Sequence, residues 1–342
     1  MSAPQAAPPP RFDLATFGEG GLRLGVPTGR RIQTATQFDV HVAGAEANVA
    51  CTLARLGRAT TWVSSVADTP MGERVLHTMH AARVDTSGVR RVPGGRTGVY
   101  FIEHAHPPRP TRMWYDRAGT ALATTREDEV DWETLLAGRY LHASGVTAGL
   151  SEACLGILER ALREARARGA TTSFDVNWRR QLWSEARARE AIEPLLALAD
   201  LVFCSRRDAA GVLGIAGEVA EVARALAART GAGRVVVSDG TNAVTGFDAA
   251  SGACFSAPSR ATVVLDRAGA GDALVSGVLH GLMGGGAEDG LGRADGAGGF
   301  RRGLALGQTL AAMTVSQFGD RVVTTAAELE TLALGDGLDI ER

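Results

Sequence analysis

The chain has 342 residues, 45% of them hydrophobic and 22% charged, the composition of a globular protein with room for one large α/β domain or two ordinary ones. Its 36 basic and 38 acidic side chains leave a formal charge of −2, which argues against a nucleic-acid or polybasic membrane binder. No lysine occurs anywhere in the sequence, so Schiff-base and pyridoxal-phosphate chemistry, a Walker A lysine and a protein-kinase β3 lysine are all excluded.

Any phosphate must therefore be met by arginine and backbone N–H groups. Cys51, Cys154, Cys204 and Cys254 are too widely spaced for a zinc site or a disulfide framework and read as small buried hydrophobes in a reducing compartment. No apolar run approaches the roughly 20 residues of a membrane span, and no charged segment followed by an apolar one opens the chain, so the expectation is a cytoplasmic protein.

In chain order, residues 1–11 are Ala/Pro-rich and read as a disordered tail, with one domain expected over 12–335. Leu22 to Val42 and Thr97 to Arg117 alternate with period two and read as a small separate β-sheet, spanning about 20–42 and 97–120, inserted into an α/β body. Leu155, Leu158 and Leu162 line one face of a helix that Ser151 can cap and Gly169 can end, and Ala170 to Val176 reads as the next strand. A helix from Ser184 to about Leu198, a strand at Leu201–Cys204, a helix through Val219, Val222 and Leu226 ended by Gly231, and a strand at Arg234–Val237 continue the βαβ rhythm of a mostly parallel sheet. Gly284 to Gly303, rich in glycine with interspersed charges, reads as a surface loop.

Ligands of open parallel sheets bind beyond the carboxyl ends of the strands. There the sequence places Ser144; then Asp175, Asn177 and Arg179; then Ser205 and Asp208; then Ser238 and Asp239. An ordinary polar loop explains any one of them, but four strands ending alike point to a shared cleft. Val263-Val264-Leu265 reads as a strand running into the turn Asp266-Arg267-Ala268-Gly269-Ala270-Gly271-Asp272 and then a helix through Leu274, Val278 and Leu282. Small residues at a helix N-terminus leave amides open to an anion. Asp272 is either a helix cap or, if a hydroxyl attacks a phosphoryl group beside it, a general base.

Gly269-Ala270-Gly271-Asp272, the early Ala43-Gly44-Ala45-Glu46-Ala47-Asn48 and the opening Phe17-Gly18-Glu19 resemble the ribokinase-type (PfkB) sugar kinases. Tyr115-Asp116-Arg117-Ala118-Gly119, Ser144-Gly145-Val146-Thr147, Asp175-Val176-Asn177-Trp178-Arg179, Leu182-Trp183-Ser184 and Gly319-Asp320 are most similar to the 2-keto-3-deoxygluconate kinases among them, and the resemblance runs from about Phe12 to Leu332. It implies an αβα sandwich whose small sheet is a lid able to mediate dimerisation, and ATP- and Mg²⁺-dependent phosphorylation of a primary hydroxyl on a sugar acid. By the same implication Asp272 is the base, and Gly269, Ala270 and Gly271 hold the transferring phosphoryl group. Gly44, Asn48, Tyr100, Tyr115, Arg117, Arg179 and Asp320 match sugar-acid positions, and Asn177, Ser205, Ser238, Gly240 and Gln308 match nucleotide positions. Apart from the resemblance, Arg117 follows Tyr115 at period two, so the two share a face, and arginine suits a carboxylate; a solvated lid residue, a surface charge and half-buried packing are the plain alternatives for Arg117, Arg179 and Tyr100.

The sequence departs from the family pattern in places. Ser205-Arg206-Arg207-Asp208 stands where an acidic Asn-x-x-Glu type cluster is usual, leaving Asp208 to reach Mg²⁺ through water. The loop Ser238–Val244 lacks a basic residue and a second glycine, Ala43 replaces the first of two glycines, and Arg267-Ala268 replaces Thr-Thr or Pro-Val. Either the Mg²⁺ requirement rises or Arg206 neutralises phosphate. The competing readings are a kinase of a neutral sugar such as fructose or ribose, a kinase of the galactonate epimer, and a catalytically weak sugar-acid sensor.

Overall fold

A computed structural model describes residues 9–105, 107–260, 262–284 and 297–335. The strands β1 (Phe12–Phe17), β2 (Gly21–Val26) and β3 (Asp39–Ala43) lead into α1 (Ala45–Arg55), followed by β4 (Thr60–Ala67), α2 (Pro70–Ala81), β5 (Val89–Val92), β6 (Val99–Glu103) and β7 (Arg112–Asp116). The middle of the chain holds α3 (Trp132–Leu135), β8 (Gly138–Ser144), α4 (Gly145–Ala148), α5 (Glu152–Ala167), β9 (Thr171–Asp175), α6 (Glu185–Leu196), β10 (Leu201–Ser205), α7 (Arg206–Leu213) and α8 (Val219–Thr230). It ends with β11 (Arg234–Ser238), β12 (Val244–Asp248), β13 (Ala253–Ala257), α9 (Ala270–Leu282), α10 (Ala297–Val315) and α11 (Ala326–Leu334).

Among the described residues nine strands form one sheet in the order β13-β12-β11-β10-β9-β8-β1-β4-β5, parallel except where β12 meets its two neighbours. The strands are apolar on both faces because helices cover both. Val202, Cys204, Val235 and Val237 pack with Ile157, Leu158, Leu162, Ile192, Val212 and Leu226 from α5 to α8. The intervening Leu201, Phe203 and Val236 point the other way, onto Val49 and Leu53 of α1, Val275, Val278 and Leu279 of α9 and Phe300 and Leu304 of α10. Ser151 and Ser184 cap α5 and α6, accepting from the amides of Cys154 and Arg187, and Gly231 closes α8 at φ +74°. Cys51, Cys154 and Cys204 are buried and all four cysteines are free thiols.

The two period-two stretches form a second sheet in the order β3-β2-β6-β7. A buried arginine is among the side chains that fasten it to the body. Arg23 of β2, 1% exposed, sends Nη1 to Asp320 and Nη2 to Asp266, and Nη2 lies 2.9 Å from Nε2 of His104. Burial alone would depress this guanidinium, but Asp320 and Asp266 outweigh it and hold the pKa above the ordinary arginine value. Asp320 also accepts from Tyr100 Oη at 2.6 Å, while Asp266 accepts from the amides of Ala268 at 3.0 Å and Gly319 at 3.2 Å.

Two expectations are corrected. Val263-Val264-Leu265 is not a strand: the three side chains are exposed, and the chain is fixed instead by the Leu265 amide donating to Val315 O at the end of α10. β13 already ends the sheet at that side, so the segment lies outside it and carries no ladder. The Gly284–Gly303 stretch is not all loop either. Its residues 285–296, like 1–8 of the expected tail, lie outside the described residues, but from Ala297 it is helix. The glycines there let two helices touch backbone to backbone: a Cβ on Gly281 would lie 2.5 Å from Gly303 Cα, and one on Gly277 would lie 2.3 Å from Gly307 N.

Gly277→Ala therefore overpacks the α9–α10 contact and is expected to lower unfolding free energy by about 1–3 kcal/mol, whereas Gly156→Ala, where a Cβ in α5 meets nothing within 4 Å, raises it by roughly 0.5–1 kcal/mol. Urea titration of the two variants checks the opposite signs. Arg23→Ala, which strands two buried carboxylates, should cost roughly 3–5 kcal/mol in the same experiment.

Candidate active site

Between the small sheet and the carboxyl ends of β1 and β9 lies a cleft of about 700 Å³. The local sequence explains its walls. On β7 and just beyond it, Met113, Tyr115 and Arg117 alternate onto the cleft, and Tyr115 sits directly across from Tyr100 of β6 with ring centroids 5.6 Å apart. The turn from β1 to β2 supplies Glu19, whose carboxylate accepts from Arg117 Nε at 2.6 Å and from the Thr120 hydroxyl. Burial would lower the Arg117 pKa, but Glu19 outweighs it and raises it. Gly44, at the start of α1, is required by close approach: a Cβ there would lie 1.9 Å from Glu19 O.

The same helix carries Glu46 and Asn48. Glu46 is fully buried and accepts from the Ser144 amide at 3.0 Å, the Ser144 hydroxyl at 2.8 Å and the Thr147 hydroxyl at 2.8 Å. Burial pushes its carboxyl up despite those bonds. It locks α1 to β8 and α4, and Gly18 leaves the space for it, since a Cβ there would lie 2.3 Å from Glu46 Oε2. Asn48, 2% exposed, donates from Nδ2 to Asp272 Oδ2 at 2.7 Å. Its buried Oδ1 has no partner among the described residues.

Asp272 stands in the first turn of α9, at the positive end of that helix. Burial raises its pKa well above the ordinary aspartate value, the bond from Asn48 opposes the rise, and the charge of Asp175 adds to it. Asp175 is itself pushed up to about 7, mainly by burial, with Arg179 lowering it and Asp208 raising it. Just before Asp272, Gly269 takes φ +81°, and a Cβ there would lie 1.9 Å from Asp320 O, so only glycine fits. A Cβ on Gly271 would meet nothing within 4 Å. The turn thus presents open amides to the cleft beside a carboxylate of high proton affinity.

Of the residues singled out from sequence, Gly44, Asn48, Tyr100, Tyr115, Arg117, Asn177, Arg179, Gly269, Gly271, Asp272 and Asp320 line this one cleft. Asn177 does so at φ +37°, a left-handed conformation that Asn tolerates better than most side chains. Ala270, Ser205, Asp208, Ser238, Gly240 and Gln308 do not line it. Ser205 caps α7, its hydroxyl accepting from the Asp208 amide at 3.0 Å, and Gln308 donates to Asn242 O at 3.3 Å, next to the turn that contains Gly240. Ser205, Asp208, Ser238, Gly240 and Gln308 gather beyond the ends of β10 and β11, a second locus beside the cleft, whereas Ala270 opens α9.

Arg206 does not face the cleft. Its Nη1 meets Asp239 at 3.3 Å and its Nη2 meets Glu218 at 3.7 Å, so it ties α7 to neighbouring loops. Arg207 and Arg267 line the cleft instead, as do Glu19, Trp178 and Gln181, which sequence reasoning did not assign to it. The signal for Arg267 was its place two residues before Gly269; nothing in the sequence separated Arg207 from Arg206. A metal caged by protein does not fit: among the described residues no group of three or more His, Cys, Asp or Glu could hold one, and Asp208 Oδ1 already meets Arg207 Nε at 3.2 Å. Open amides and cleft-lining arginines do fit a polyphosphate.

No helix among the described residues is long and apolar enough to cross a membrane. The model of the pfkB family carbohydrate kinases matches residues 17–326. A 2-dehydro-3-deoxygalactonokinase of Haloferax volcanii is 34% identical over 330 residues, 96% of this chain and 99% of that protein. A 2-dehydro-3-deoxygluconokinase of Bacillus subtilis is 29% identical over 87% of this chain and 89% of its own. The crystal structure of a 2-dehydro-3-deoxygluconokinase from Thermotoga maritima superposes with a TM-score of 0.84 at 30% identity, covering 94% of this chain and 99% of that one. The fold, with its large mostly parallel sheet and small second sheet, is the one these kinases share. The chain belongs to the pfkB family and is a carbohydrate kinase.

Proposed function

We propose that this kinase transfers the terminal phosphoryl group of ATP to the primary hydroxyl of a 2-keto-3-deoxy (that is, 2-dehydro-3-deoxy) sugar acid, the gluconate epimer foremost. The observation that carries the reading is the carboxylate of Asp272, of raised proton affinity, held by Asn48 next to the open Gly269–Gly271 turn in a cleft that also contains Arg117 and Arg179. A hydroxyl seated there donates its proton to Asp272 as its oxygen attacks the γ-phosphorus; the bond to the β–γ bridging oxygen breaks and ADP leaves. The open amides of the turn receive the charge that develops on the phosphoryl oxygens.

Arginines in the cleft favour an acid over a neutral sugar. Arg179 is the freer of the two candidates, since among the described residues it holds only the carbonyls of Asn177 and Trp178, at 3.5 and 3.3 Å, whereas Arg117 is tied to Glu19. The galactonate epimer is the second reading, favoured by the Haloferax relative that matches over nearly its whole length. A coupled ADP-release assay across both epimers, fructose and ribose tests the substrate; a neutral sugar as the best substrate overturns the acid.

Asp272→Asn keeps an acceptor for Asn48 and should lose roughly 10²-fold or more in kcat. Because a base must be ionised to act, activity falls as pH drops through the Asp272 pKa, and the upward shift places that acid limb above the ordinary aspartate range. Asp175→Asn removes a neighbouring charge that raises the Asp272 pKa and should move the limb of kcat/KM to lower pH, as the pH–rate profile of the variant checks. Arg179→Ala should raise KM for the sugar acid by the roughly 1.5–3 kcal/mol of a charged hydrogen bond while leaving a neutral sugar almost unaffected, as a KM comparison on both substrates checks.

A further inference from the structure

Three arginines of the cleft are not used by this reading: Arg180, whose guanidinium lies over the Trp178 ring, and Arg207 and Arg267, which stand on the side where phosphate would lie. Arg267 is two residues before Gly269, and Arg207 is in the first turn of α7. Arg207 is largely exposed, at 79% of its side chain, and Arg267 is exposed too, so both guanidinium groups can swing to a ligand without unpacking the core. Arg206, one residue away, is already spent on Asp239 and Glu218. A terminal phosphate brings several negative charges, and Mg²⁺ in such sites ordinarily relies on one or two protein carboxylates besides the phosphates. Here the acid at that place, Asp208, is 3% exposed and faces Arg207 Nε. With no lysine in the chain, arginine is the remaining permanent cation.

We propose that Arg207 and Arg267 clamp the terminal phosphates of the nucleotide directly, supplying charge neutralisation that protein carboxylates would otherwise arrange through a metal. The guanidinium fork binds two phosphate oxygens at once, and the Gly269–Gly271 amides complete the cradle. The clamp rests on the reading of this cleft as a nucleotide-dependent kinase site, and it makes one demand which that reading does not: the protein binds ATP without metal, through these two side chains.

The test is calorimetric titration of the full chain with ATP and with AMP in EDTA, for wild type, Arg207→Ala, Arg267→Ala and Arg206→Ala, together with titration by the sugar acid. Arg207→Ala and Arg267→Ala should each weaken metal-free ATP binding about 10- to 100-fold, the span of a lost charged hydrogen bond. AMP and sugar-acid binding should stay within about twofold, well under the 1.4 kcal/mol that a tenfold change represents. Arg206→Ala should bind ATP as wild type does. The dependence of ATP affinity on salt should also become shallower in the two cleft variants, because fewer charges screen. Unchanged ATP affinity in the cleft variants, no ATP binding by wild type in EDTA, or a loss that appears in sugar-acid binding instead overturns the clamp. Arg207→Gln and Arg267→Gln, which keep much of the side-chain volume, repeat the comparison should an alanine variant fail to fold. Turnover separates the two ideas: arginine-dependent ATP binding without phosphorylation of any sugar acid defeats the substrate reading and leaves the clamp standing, and sugar-acid turnover with arginine-independent ATP binding does the reverse.

Discussion

A guanidinium buried between two carboxylates is the constraint on which this architecture turns. Arg23 comes from the small sheet, Asp266 from the approach to α9 and Asp320 from the segment after α10. In a low-dielectric interior such groups hold each other charged or leave each other stranded, so the geometry tolerates little slack. Since Asp266 also accepts from the amides of Ala268 and Gly319, the ion pair reaches from the second sheet into the turn that presents Gly269, Gly271 and Asp272. The position of the cleft's roof and the shape of the floor that carries Asp272 thus share one electrostatic anchor.

Around that anchor the charges are sorted by accessibility. Acids with fixed partners are buried: Glu46 under Ser144 and Thr147, Glu19 against Arg117. Asp272 differs in combining a neutral partner, Asn48, with a place in the cleft wall. That is why burial can raise its proton affinity: among the described residues its close side-chain bond comes from an amide and not from a cation. The arginines that line the cleft at Arg207 and Arg267 keep solvent access, while Arg117 is nearly enclosed. A lysine-free chain has to make all these distinctions with one kind of permanent cation, and it makes them by burial and by partner.

Local pattern was a good guide wherever the physics is local. Capping serines, closing glycines and the alternation of Leu201, Val202, Phe203 and Cys204 between two helical layers follow from hydrogen bonding and side-chain direction within a few residues. It misled where an apolar or glycine-rich run was explained by distant contacts. Val263-Val264-Leu265 has the composition of a strand, yet the sheet already ends at β13 and the segment is held by the end of α10. The glycines at 299 and 303 have the look of a loop, yet they are the surface on which α9 and α10 meet.

What the sequence by itself determined is the α/β alternation, the small period-two sheet, the open-amide turn before Asp272 and the set of polar residues at the strand ends, because each depends on residue type and spacing alone. Tertiary structure decided which of those polar residues share a cleft. It brought Asn48 from α1 onto Asp272, 224 residues away, and Arg23 onto Asp320 across 297. It turned Arg207 towards the cleft and Arg206 away from it. Adjacent residues on a helix point about 100° apart, and only the packing of α7 against its neighbours chooses which of the two directions is the cleft.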